Sequence, residues 1–168
     1  SSIAVVGNTY GALPDQTNSG QRDVFVQRYD SSGARQWTRQ LGTNDWDRVF
    51  SVTLSLGDAV VVAGDFGLDH AFVRQYAADG DLDWHHDTTW TTKAVSAGSD
   101  GSVFVVGHVA GSLPGNVSVG SGDAVLQKYS AAGSLLWTRQ FGTSAFDEAV
   151  AFAKEAEVDN FVSMLTKF

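Results

Sequence analysis

The chain has 168 residues, 43% of them hydrophobic and 18% charged, with a formal net charge of −8 and no cysteine. That supplies apolar material for one sizeable core, while no run approaches the roughly 18 consecutive apolar residues that a membrane-spanning helix requires. The acidic balance leaves no basic stripe to neutralise phosphates, which argues against nucleic acid, and the missing cysteines remove disulfides, thiol catalysis and thiolate metal sites together.

Taken in chain order, the first expected strand is Ser1 to Gly7, and the second carries Val24, Val26 and Arg28 on one face with Phe25, Gln27 and Tyr29 on the other. Apolar residues on both faces imply a sheet covered on both sides. A hairpin, Asp30-Ser31-Ser32-Gly33, then leads to Trp37-Thr38-Arg39-Gln40-Leu41-Gly42-Thr43, and Arg48 to Leu54 reads as a further strand. A degenerate second copy follows, with Phe72, Tyr76, Gly80 and Trp84 each 47 positions after Phe25, Tyr29, Gly33 and Trp37. Its indels fall in loops: the Leu-Pro loop is absent, and the segment after Trp84 is shorter. In the third copy the strands are Ser102 to Val109, Asp123 to Tyr129 and Ser134 to Phe141, and Trp137 to Thr143 repeats Trp37 to Thr43 almost letter for letter. A fourth copy opens at Asp147; its segment Glu148 to Glu157 could pass for a short helix, but alignment to the repeat makes it a strand. The hairpins at Gly33, Gly80 and Gly133 all end in glycine, which takes positive φ without steric cost in a short loop closed by a bulge.

Four strands per unit of about 50 residues is the signature of a β-propeller of four-stranded antiparallel blades. The units expected are a partial first blade over residues 1–46, a degenerate second over 47–90, a third over 91–146 and the start of a fourth over 147–168, about three and a quarter blades. A closed ring takes roughly four to eight. The expectation is therefore a piece of a longer polypeptide or a ring completed by another copy, with unpaired sheet edges at both ends.

The succession Leu113-Pro114-Gly115, Gly122-Asp123-Ala124, Lys128-Tyr129 with Gly133, and Leu136 to Thr143 resembles the bacterial seven-bladed beta-propeller repeat (SBBP). The middle copy departs from that pattern, with His85-His86 in place of the Thr-Arg pair and His70 in place of Asp23 and Asp123. The resemblance implies a non-enzymatic scaffold or protein-interaction propeller of a secreted or cell-surface bacterial protein, whose partner is another protein or further repeats. The constant four-residue spacing from Gly33 to Trp37, Gly80 to Trp84 and Gly133 to Trp137 also resembles the docking segment of quinoprotein propellers, which assigns these three tryptophans to packing against the next blade.

Catalytic motifs are lacking: there is no Gly-x-Ser-x-Gly elbow, no His-Glu-x-x-His and no glycine-rich phosphate loop before a helix. No cofactor and no metal are expected, and nothing in the segment makes a quinoprotein-like cofactor cluster. Asp79, Asp81 and Asp83 alternate as in a calcium loop, but Trp90 stands where its final glutamate belongs. His85 and His86 are strand neighbours facing opposite ways. Asp47 and Asp147 could be an acid pair; because they recur, as do Asp23 and Asp123, a repeated turn hydrogen bond accounts for them more simply. Trp46, Trp90 and Phe146, at the turn into the fourth strand, are the binding candidates. Exposed, they could stack on sugar or protein, giving a lectin-like alternative; buried, they would close gaps between blades. The Leu13-Pro14 and Leu113-Pro114 loops are the other place for variable recognition, and Asn116-Val117-Ser118 matches a glycosylation acceptor.

Overall fold

The computed structural model describes residues 2–67 and 70–153, and within them eleven strands form three antiparallel sheets. The first sheet holds β1 (Ser2–Thr9), β2 (Asp23–Asp30) and β3 (Arg35–Leu41). The second holds β4 (Arg48–Leu54), β5 (Val60–Phe66), β6 (His70–Tyr76) and β7 (Leu82–Thr88). The third holds β8 (Thr91–Ala97), β9 (Val103–Val109), β10 (Asp123–Tyr129) and β11 (Leu135–Phe141). Each sheet is an up-and-down meander in which neighbours in sequence are neighbours in space. The protein is all-β; a 3₁₀ turn at Leu56–Asp58 is the only helical segment among the described residues.

Turn chemistry sets the repeat. The Gly33, Gly80 and Gly133 amides donate to the Asp30, Ala77 and Ser130 carbonyls at 2.9–3.0 Å, and all three glycines sit at φ between 82° and 89°. The register slips by one residue beside each hairpin, at Arg28/Tyr29, Gln75/Tyr76 and Lys128/Tyr129. A tight turn followed by a left-handed residue and a bulge is the three-to-five-residue hairpin that glycine permits. The register also aligns the copies: Gly7 faces Phe25, Gly64 faces Phe72 and Gly107 faces Val125. By this alignment β1 matches β5 and β9, so among the described residues the first sheet has no counterpart of β4 and β8.

Among the described residues the sheets stack face to face in an open row and do not close on themselves. Val24, Val26, Trp37, Val60, Val62 and Phe72 fill the space between the first and second sheets, and Val61, Ala63, Val73, Val105 and Val125 that between the second and third. Alternation explains this: consecutive strand residues point to opposite faces, and β5, with Val60 to Ala63 all at 0% exposure, supplies both cores at once. Each of the three valines contributes about 1.5–3 kcal/mol by leaving water, and the single methyl of Ala63 about 0.8 kcal/mol. A smaller cluster, Phe104, Val106 and Leu126, lies on the outer face of the third sheet, with Trp137 and Phe152 against it. Residues 148–153 carry no strand. Residues 160–166, at the hundred-residue offset from β5, lie outside the described residues, as does most of the expected fourth unit, 147–168.

Candidate functional site

The sheets meet through a contact made twice. The Trp37 indole Nε1 donates to the Ala78 carbonyl in the hairpin of the second sheet at 2.9 Å, and the Trp84 Nε1 donates to the Ala131 carbonyl in the hairpin of the third at 3.1 Å. Beneath each ring lies the hairpin glycine. A Cβ on Gly80 would stand 2.8 Å from the Trp37 ring, and one on Gly133 would stand 2.6 Å from Trp84, so the absence of a side chain is what allows the ring to lie there. Arg28 adds a bond to the Ala78 carbonyl, and His86 Nε2 lies 2.6 Å from the Gly133 carbonyl. Tyr129, stacked on Trp84, donates to Gln127, and burial pushes its phenol up to about 12, which keeps it a neutral donor.

Among the described residues the outer members of the series have no such partner. Nothing lies within 4 Å of a Cβ placed on Gly33, and among the described residues the half-buried Trp137 has no carbonyl acceptor for its indole. Arg39 and Arg139 nevertheless lie over the Trp37 and Trp137 rings at similar distances, 5.9 and 5.7 Å, so the local geometry of the two repeats is the same.

A second recurring arrangement joins the recognition-loop candidates to the sheets. Gln40 accepts from the Leu13 amide at 2.9 Å and donates to Asp23 Oδ2 at 2.8 Å; Gln140 accepts from the Leu113 amide at 2.9 Å and donates to Asp123 Oδ2 at 2.7 Å. The Leu-Pro loops are thereby tied to the sheet, and the Gln140 amide holds the Asp123 carboxyl below its usual range. Neither glutamine stands out by residue type; only its place in the repeated block marks it. Asp47 accepts from the Thr43 amide and hydroxyl and from the Gly67 amide of the next sheet, and Asp147 accepts from the Thr143 amide and hydroxyl.

The turn aromatics divide. Trp46 and Phe146 are 49% and 55% exposed, whereas Trp90 is buried at 4%. Strand register explains the division. Arg48 pairs with Asp65 and Thr91 with His108, at matching positions of β5 and β9, so Trp90 occupies the place of Asp47 and not that of Trp46. Tyr10, 67% exposed, meets Trp46 edge-to-face at 6.0 Å, with Arg22 over the indole at 5.2 Å and Gln21 accepting its N–H. His85 and His86 pair with Arg74 and Val73 on opposite faces of β7, and Asp79 accepts from the Asp81 amide within the exposed hairpin. Among the described residues no group of three or more acidic or histidine side chains gathers at one point.

The chain matches no family model. It is similar to the regulatory protein FlaEY of Caulobacter vibrioides, with 28% identity over 179 aligned residues that cover 87% of this chain and 18% of that protein. The chain thus spans less than a fifth of that relative's length.

Proposed function

We propose that the three sheets are consecutive blades of a β-propeller of the SBBP kind, and that it serves as a non-enzymatic scaffold or protein-interaction module of a secreted or cell-surface bacterial protein. The observation that carries this reading is the tryptophan-on-hairpin contact, used at both junctions with the same donor, the same carbonyl position and the same glycine. A contact repeated in register propagates a stack of sheets, and successive sheets that each contact only their neighbours make a modular, extended surface. Further blades, from the same polypeptide or a neighbouring subunit, continue the stack beyond Trp137 and before Gly33. Electron microscopy of the parent polypeptide tests this: a ring of radial sheets with β4 and β8 innermost is expected, and a flat or helical stack would overturn it.

The exposed Tyr10–Trp46 pair favours a second reading, a lectin-like surface in which the rings stack on a sugar while Arg22 and Gln21 supply polar contacts. A glycan array separates the two. Scaffold function alone predicts no glycan binding; binding lost on Trp46→Ala selects the lectin reading.

A further inference from the structure

The two aspartates of each repeat converge on one glycine. Asp23 Oδ1 and Asp47 Oδ2 both lie within 2.6 Å of the point where a Cβ on Gly42 would stand, so the two oxygens are within twice that distance of one another. Asp123 Oδ1 and Asp147 Oδ2 stand in the same way around Gly142, within 3.0 Å. Asp23, Asp47 and Asp123 are each 0% exposed. Among the described residues no lysine, arginine or histidine forms an ion pair with any of the four. The Oδ1 atoms of Asp23 and Asp123 are buried and have no hydrogen-bond partner at all, although the Oδ2 atom of each accepts two N–H bonds, from Gln40 and the Ser19 amide or from Gln140 and the Val119 amide. An orphaned buried carboxylate oxygen carries a desolvation cost that its hydrogen-bonded twin does not offset, and in each repeat it faces a second carboxylate with no cation between them.

The middle copy is an internal control. Strand register puts His70 at the place of Asp23 and Trp90 at that of Asp47. Thr88 pairs with Ala71 as Leu41 pairs with Val24, so Thr89, the next residue, stands at the place of Gly42 in the shortened turn. All three members are lost together, and the residue with a Cβ appears only where the carboxylates are gone.

We propose that each Asp–Gly–Asp junction, Asp23–Gly42–Asp47 and Asp123–Gly142–Asp147, binds a hard divalent cation of the calcium class between its two carboxylates. Calcium suits the chemistry: it takes oxygen ligands, accepts irregular geometry and completes its shell with water or loop carbonyls. The cation neutralises the pair, engages the orphaned Oδ1, and fastens the Leu-Pro loop to the turn that enters the next sheet. This holds whether the stack is a ring or not, since it concerns each junction alone.

Calorimetric titration of chelator-treated protein with calcium chloride tests it. Two ions per chain are expected, with a rise in melting temperature; Asp23→Asn and Asp123→Asn each reduce the stoichiometry to one, while Asp81→Asn, in the exposed hairpin, leaves it at two. No uptake at millimolar calcium overturns the proposal, as does uptake that survives Asp23→Asn with Asp123→Asn in one chain. Should an asparagine variant fail to fold, the wild-type titration still decides, because zero ions per chain is fatal and two ions released by chelator with a fall in melting temperature is the supporting result.

Discussion

Strands β1 and β9 share Val-Val-Gly at matching register, yet Ile3 and Val5 of β1 are 53% and 41% exposed while Val103 and Val105 of β9 are both at 0%. Beside β9 lies β8, and the second sheet packs on its face; β1 is an edge. The same contrast runs through the tryptophans: Trp37 is buried under the next hairpin, and Trp137, one hundred residues on, is partly exposed and meets no hairpin among the described residues. Composition of a strand decides that it is a strand; its neighbours decide what it is worth.

Tryptophan truncation makes the largest test of this difference. Trp37→Ala removes a buried ring and its hydrogen bond at a sheet junction, and is expected to cost about 3–5 kcal/mol. Trp137→Ala should cost a clearly smaller amount in the same chemical denaturation experiment. Equal losses would mean that the outer face of the third sheet is covered as fully as the inner junctions. A smaller contrast comes from the valines. Val105→Ala opens a cavity in the core between the second and third sheets and should cost about 2–3 kcal/mol, whereas Val5→Ala at the exposed edge should cost about 0.5 kcal/mol. If both cost the same, β1 is not an edge in solution, and a strand from another chain covers it.

What the sequence made legible was whatever depends on local chemistry. The glycine hairpins at Gly33, Gly80 and Gly133, the strand Arg48–Leu54 and the all-β class follow from turn residues and β-branched runs that act within a few positions. The Trp90 position was harder, because the middle copy is shortened and an aromatic near a turn looks equivalent to Trp46 until backbone pairing fixes the register. Gln40 and Gln140 were invisible as site residues, since a glutamine in a strand acquires its role only when the loop from 27 residues earlier folds onto it. The crowding of Asp23 and Asp47 over Gly42 likewise joins residues from three segments. Exposure of equivalent residues was the least legible of all, because it depends on the adjoining sheet and not on the strand itself.

The smallest expected effect lies at one register position compared between sheets: Asp65 at the end of β5 and His108 at the end of β9. Burial acts on both and disfavours the charged form of each, raising the Asp65 carboxyl and lowering the His108 imidazole. For His108 the desolvation dominates, the Lys93 charge adds to it, and Glu148, whose Oε2 lies 3.4 Å from Nδ1, opposes both. The folded imidazole therefore takes up its proton at lower pH than the unfolded one. Between the unfolded value of 6.5 and the lower folded value, the unfolded chain binds more protons, and stability falls as pH falls. The His108 contribution is fully present above that window and is lost through it on acidification. Melting temperatures measured from pH 7.5 down to 5.5 should decline less steeply in His108→Gln than in the parent chain, with the difference closing above neutrality. A steeper decline in the variant would show that Glu148 outweighs burial, and that the outer end of the third sheet is wetter than its buried Nδ1 implies.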